Sequence, residues 1–244
     1  MTDRTARGLL NWLGERGNLF IAAVLVVVAG CLAFVKILDE VKEGQTRHFD
    51  EWLIQWLRVH EGPPWLQEIG RDFTALGGVA VMVLVTFAVA GYLLLRRLYG
   101  AMWLVLVATG GGLVLSSVLK HFIARDRPTL VEHRSVVYTS SFPSGHSMLS
   151  AVVYLTLGSL LARIMPSRVL KVYFLFLAMA LTFLVGVSRV YLGVHWPTDV
   201  LAGWCGGLVW ALVCWLVARE LQRRGKVEKD DDQAADEPEF DVKP

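Results

Sequence analysis

What this chain has least of is charge. Only 19% of its 244 residues are Asp, Glu, Lys or Arg, 55% are hydrophobic, and the mean hydropathy is +0.49. A soluble domain carries about 25% charged residues, so an ordinary water-soluble architecture is excluded. There is also no excess of one sign: the net charge is +2, and the charges lie in loops and tails without forming the basic stripe that nucleic acid needs. Cysteine is scarce. Cys31, Cys205 and Cys214 all fall inside apolar runs, where a thiol behaves as a small hydrophobe, so no disulfide framework, zinc cluster or redox pair is expected. His121, His133 and the nearby acids lack the compact spacing of a metal site, and no cofactor is expected.

What is present is a set of six apolar runs, at about 19–37, 79–95, 100–119, 147–164, 169–187 and 200–218. Each approaches the length that a helix rising ~1.5 Å per residue needs to cross ~30 Å of hydrocarbon. The expected fold is an all-α, polytopic membrane protein: a bundle of six transmembrane helices, with residues 1–224 as the membrane domain. The first run is long for a signal core and lacks a small-residue cleavage site, so it is expected to stay as an anchor.

Lys and Arg set the orientation. With the N-terminus inside, the inner segments hold Arg4, Arg7 and Arg16, then Arg96 and Arg97, then Arg163, Arg168 and Lys171, then Arg219, Arg223, Arg224 and Lys226. Both termini are therefore expected in the cytoplasm of a cell (inner) membrane protein, and the size and short loops suit a bacterium. The first outer loop, about 39–78, carries Phe49, Trp52, Leu53, Trp56 and Leu57 at helical spacing between polar residues. That stripe fits an interfacial helix lying flat on the membrane, or a lid packed on the bundle. Residues 225–244 are acidic and nearly free of apolar side chains, which predicts a disordered cytoplasmic tail.

Polar residues beside spanning helices are costly, so their positions carry information. Three clusters stand out: Lys120–Pro128 after the third run, Pro143–His146 before the fourth, and Ser188–Asp199 between the fifth and sixth. Because the chain reverses at each span, all three meet one surface, the outer one by the charge rule. Lys120, Arg127 and Arg189 bring three cations there, with the Ser144 hydroxyl and the amides of Ser144, Gly145 and His146 at a helix start. Such a set suits a phosphate, which takes forked guanidinium bonds, a point charge and unpaired helix amides. Gly145 allows the backbone to come close. Two histidines divide the cleavage of a phosphate ester between them. His195, with Asp199 four residues on to hold one ring nitrogen, suits the nucleophile, and His146 suits the general acid.

These residues carry a family resemblance. The pattern Lys, six residues, Arg-Pro; then Pro-Ser-Gly-His; then Ser-Arg, five residues, His, three residues, Asp occurs as Lys120 and Arg127-Pro128, Pro143-Ser144-Gly145-His146, and Ser188-Arg189, His195 and Asp199. In this the chain resembles the type-2 phosphatidic acid phosphatase family, which shares its site with vanadium haloperoxidases and bacterial acid phosphatases. The motifs cover residues 120–199 and the six-helix framework extends the likeness to nearly all of the chain but the tail. The resemblance implies a metal-independent phosphatase in which His195 becomes a phosphohistidine, Asp199 orients it, His146 protonates the leaving group, and Lys120, Arg127, Ser144, Gly145 and Arg189 bind phosphate. Its substrates would be lipid phosphates or diphosphates, of the phosphatidic acid, phosphatidylglycerol phosphate or undecaprenyl diphosphate type, met among membrane lipids. A phosphotransferase and a non-catalytic phospholipid binder or transporter remain as alternatives. His121, Arg125, Asp126, Glu132, His133 and Arg134 are expected as solvated loop residues. Gly203 and Gly207, and the run Gly110-Gly111-Gly112, are expected to let helices pack closely, with a homodimer as a second use.

Overall fold

A computed structural model of the chain describes residues 2–60, 62–130 and 139–223. The acidic tail and the loop residues Glu132, His133 and Arg134 lie outside the described residues. Among the described residues eight helices follow one another: α1 (Thr2–Lys42), α2 (Arg47–Val59), α3 (Pro64–Leu76), α4 (Val79–Leu95), α5 (Tyr99–Ile123), α6 (Gly145–Ile164), α7 (Arg168–Tyr191) and α8 (Pro197–Arg223). Five of them, counting α1 from Gly17, are long and apolar enough to cross a membrane. The run at 79–95 forms α4, whose 17 residues fall short alone; counted together with α3 across a 48° bend, the pair passes the same test of length and composition, which gives five spans or, with the bent pair as one, six.

The layout is inverted relative to a soluble protein. Large apolar side chains such as Leu32, Leu84 and Phe122 lie 66%, 69% and 79% exposed, which in water would be a liability and in lipid is the ordinary condition. The packed interior centres on α6. Its residues 147–153 are all buried, so the half of the helix nearest the motif residues is enclosed on every side by its neighbours. Polar groups inside the spans find partners: Thr86 bonds Thr109 at 3.0 Å between α4 and α5, the Trp204 indole donates to the Thr182 carbonyl at 3.1 Å, and that of Trp210 to Ala108 at 2.9 Å.

Small residues set how near the helices come. A Cβ built on Gly203 would stand 2.7 Å from the Ser144 carbonyl oxygen and 3.2 Å from the Met148 nitrogen; one on Gly207 would stand 2.5 Å from the Met148 oxygen. The pair is therefore used inside the chain, bringing α8 against the backbone of α6. Gly111 and Gly112 likewise make room for Trp210 and Val152. At the α3–α4 bend, Gly77 rests against Val185 and His146.

Helix α2 resolves part of the open choice about the aromatic stripe. Phe49, Trp52 and Trp56 project outward, while the packed edge is Asp50, Ile54 and Leu57, set against Val190, Val200, Trp196 and Trp204. The aromatic members of the stripe are thus not what holds the segment to the bundle, whereas Leu57 belongs to the packed edge.

The α6–α8 contact is testable. Gly203→Ala places a methyl against backbone atoms that cannot move aside, and should cost about 1–3 kcal/mol, read as a lower melting temperature in detergent. Gly110→Ala, whose new Cβ meets nothing within 4 Å, should leave that temperature unchanged.

Candidate active site

The four helix ends predicted to share a surface do so. Lys120 lies in the last turn of α5, His146 in the first turn of α6, Arg189 in the last turn of α7 and Asp199 in the first turn of α8. The apolar runs had stopped short of these residues; each helix extends by part of a turn to include them.

The start of α8 shows how local rules place Asp199. Pro197 occupies the first helical position, where a missing N–H costs nothing. Asp199, two residues on, turns its Oδ2 back to accept from the Trp196 amide at 3.0 Å, the acidic half of a capping box. The same carboxylate faces His195, with Oδ2 at 3.4 Å from Nδ1, and accepts a short bond from the Ser141 hydroxyl. Gly193, at φ +72°, supplies the left-handed turn that brings His195 back from the end of α7.

On the other side of the imidazole, Arg127 Nη1 lies 3.2 Å from His195 Nε2. A guanidinium can only donate, so Nε2 is the acceptor and the ring proton sits on Nδ1, toward Asp199. His195 therefore turns its one lone pair, on Nε2, to the cationic side, where Arg127 donates to it. It is 2% exposed. Burial pushes its pKa from 6.5 down to about 3; the charges of Arg189 and Arg127 add to the fall, and the bond and charge of Asp199 resist it.

The cations are held by backbone and side-chain oxygens. Lys120 Nζ donates to the Ser140 carbonyl at 2.7 Å, while Ser140 Oγ donates back to the Lys120 carbonyl at 2.8 Å. Arg127 donates through Nε to the Thr139 carbonyl at 2.9 Å and through Nη1 to that of Val194 at 2.6 Å. Burial lowers the Arg127 pKa and the Asp199 charge opposes this; the guanidinium stays protonated. Arg189, 2% exposed, donates through Nη1 to Thr74 Oγ1 at 3.0 Å, and its buried Nε has no hydrogen-bond partner among the described residues. His146 lies near enough to feel the charges of Lys120, Arg127 and Arg189 and of His195.

The helix start at Ser144 departs from expectation in one respect. Its amide does not face the cavity but donates to the Asp199 carbonyl at 2.9 Å, tying α6 to α8. Its hydroxyl accepts from the Ser147 amide and keeps its own proton to donate. The amides of Gly145 and His146 precede any intrahelical acceptor and are the ones that remain for an anion. Gly145 stands beside the Lys120 stem, its would-be Cβ 3.4 Å from Cε.

Arg125 also departs from expectation. Far from being a solvated loop residue, it is ion-paired to Asp199 at 2.6 Å and to Asp50 at 2.7 Å, with its side chain 16% exposed. Asp126 contributes its carbonyl to the Trp196 indole at 2.9 Å, and His121 is exposed beside Phe122. Residues missed in the sequence are Asp50, Thr74 and Ser141. No motif marks them; Asp50 and Ser141 are buried polar side chains and Thr74 is half-buried, and these signals appear only with the fold.

Comparison with known proteins bears on this arrangement. The PAP2 superfamily model matches residues 100–223. Phosphatidylglycerophosphatase B of Bacillus subtilis is 38% identical over 151 residues, covering 60% of this chain and 72% of that one. An undecaprenyl-diphosphatase of Sulfolobus acidocaldarius is 35% identical over 102 residues, 39% of this chain and 44% of that one. The crystal structure of a transmembrane PAP2-type phosphatidylglycerolphosphate phosphatase from Bacillus subtilis superposes with a TM-score of 0.74 at 31% identity, covering 81% of this chain and 98% of that chain. This chain belongs to the PAP2 superfamily, as a multi-pass membrane phosphatase.

Burial of a neutral His195 links stability to pH. An imidazole that titrates at 6.5 when unfolded and about 3 when folded contributes stability that is complete above 6.5 and lost as pH falls toward 3. The melting temperature should therefore decline across that window, and less steeply in His195→Gln, as followed by thermal unfolding in detergent.

Proposed function

We propose that the protein hydrolyses the terminal phosphate of a membrane lipid through a phosphohistidine on His195. The observation that carries the reading is the buried Arg189 Nε, without a partner among the described residues and set among Lys120, Arg127 and two histidines: a donor left unpaired at a cationic centre is matched by an anion. In the first step His195 Nε2 attacks phosphorus, the P–O bond to the lipid breaks, and the leaving oxygen takes a proton from His146. In the second, water attacks the phosphohistidine, gives a proton to His146, and releases inorganic phosphate. Lys120, Arg127, Arg189, the Ser144 hydroxyl and the amides of Gly145 and His146 hold the three equatorial oxygens. Asp199 keeps the His195 proton on Nδ1.

The activities for which the relatives are named, on phosphatidylglycerophosphate and undecaprenyl diphosphate, support a lipid substrate of one of these kinds. The cation bias supports cytoplasmic termini and a site on the outer face, and the outward aromatic side of α2 suits the lipid–water boundary there. Because Gly203 and Gly207 are occupied within the chain, a homodimer would have to use another surface.

Detergent-solubilised protein presented with phosphatidylglycerophosphate, phosphatidic acid and undecaprenyl diphosphate, with and without chelator, should release inorganic phosphate from at least one. His195→Ala should lower kcat by at least about 10³-fold and abolish the trapped phosphoenzyme. A phosphorylated acceptor without free phosphate would mark a transferase instead. For orientation, Leu130→Cys, at an exposed position, should react with an impermeant thiol reagent outside intact cells; labelling only after lysis would place the site in the cytoplasm.

A further inference from the structure

One chain of charges reaches the catalytic pair from outside the three motifs. It begins at Asp50 on α2, in a part of the chain that precedes the family model's first matched residue. The Asp50 side chain is fully buried. Its Oδ1 accepts from the Thr198 amide at 3.0 Å, and its Oδ2 from the Thr198 hydroxyl at 2.7 Å and from Arg125 Nη2 at 2.7 Å. The other arm of the same guanidinium, Nη1, donates to Asp199 Oδ1 at 2.6 Å and to Thr198 Oγ1 at 2.9 Å. The guanidinium carbon lies 5.5 Å from the centroid of the Trp196 ring. Arg125 is thus gripped by two carboxylates, and one of them is the acid that faces His195.

The division of labour at Asp199 makes this grip consequential. Its Oδ2 is the oxygen turned toward His195 Nδ1, the Ser141 hydroxyl and the Trp196 amide; its Oδ1 is the one that Arg125 holds. A carboxylate fixed at only one oxygen can rotate about its bond to Cβ. Fixed at both, it cannot, and the forked geometry of a guanidinium suits that task. Two buried acids side by side would repel, and the single cation between them removes that cost.

We infer that Arg125, anchored by Asp50, is a positioning residue that fixes the plane of the Asp199 carboxylate so that Oδ2 holds the His195 proton on Nδ1. The inference rests on the reading of His195 as the nucleophile. It separates Arg125 from Lys120, Arg127 and Arg189: those face the phosphate, whereas Arg125 acts through Asp199 and leaves substrate affinity alone. It also gives α2 a stake in the chemistry, since the helix that carries the outward aromatic residues carries the anchor on its packed edge.

Steady-state kinetics on the best lipid phosphate, with rapid-quench trapping of the phosphoenzyme, test the assignment. Arg125→Gln should lower kcat about 30-fold and slow phosphoenzyme formation equally, with KM changed less than about threefold. Asp50→Asn, which keeps an oxygen for the Thr198 amide and loses the charge that anchors Arg125, should lower kcat about tenfold. The double variant should be no slower than Arg125→Gln, within about twofold, because both changes break one device. Arg125→Lys should recover part of the loss. A wild-type kcat in either single variant, a loss carried by KM, or additive effects in the double variant would each overturn the inference. If Arg125→Gln does not fold, Asp50→Asn and Arg125→Lys decide on the same kcat–KM split, and a folded Asp50→Asn with unchanged kcat is enough to reject it. Failure of the underlying nucleophile reading has its own signature: wild-type protein that traps no phosphoenzyme, or His195→Ala that turns over normally.

Discussion

The bond from the Ser144 amide to the Asp199 carbonyl is the joint on which the site depends. It fastens the first turn of α6 to the first turn of α8, and so sets His146, the proposed general acid, and Asp199, the acid that faces His195, in one frame. The bond forms only because α8 meets α6 backbone to backbone, at Gly203 and Gly207. Close helix contact and catalytic geometry are here the same constraint. The enclosure of that half of α6 on all sides supplies the rigidity that a site built on four separate helix ends requires.

Electrostatics runs the other way. Lys120 and Arg127 are half-buried and Arg189 is buried, so these like charges repel more strongly than they would in water. The protein offsets this with carbonyl oxygens at Thr139, Ser140 and Val194 and with the hydroxyl of Thr74. Among the described residues it leaves the Arg189 Nε unmatched. In the proposed reaction, a trigonal phosphoryl group with charge on three oxygens completes what the fold leaves incomplete, and does so most fully in the transition state.

Much of this was legible in the sequence. The apolar runs located the spans because hydrocarbon thickness admits few alternatives, and the motif residues fell on one surface because a chain that crosses repeatedly must alternate faces. What could not be read was anything decided by contacts between distant segments. Thr74 meets Arg189, and Asp50 meets Arg125, across more than 70 positions, and neither has a neighbour in sequence that betrays its partner. The Ser144 amide was assigned to the phosphate because a helix start leaves its first amides free; a tertiary acceptor, the Asp199 carbonyl, claimed it. Arg125 looked like a loop residue because its two acids lie on other helices. The short run at 79–95 needed α3, across the bend at Gly77-Gly78, to reach the length of a crossing.

The position of the motif residues along their helices has a consequence of its own. Lys120 stands three residues before the end of α5, Arg189 two before the end of α7, His146 second in α6 and Asp199 third in α8. At a rise of ~1.5 Å per residue, all four Cα atoms lie within about 5 Å of the helix ends, one turn below the rim. The catalytic centre is thus a shelf set at a fixed depth. For a phosphate carried on a lipid, the bilayer supplies the vertical coordinate before any encounter occurs, and the search for the site becomes one in two dimensions.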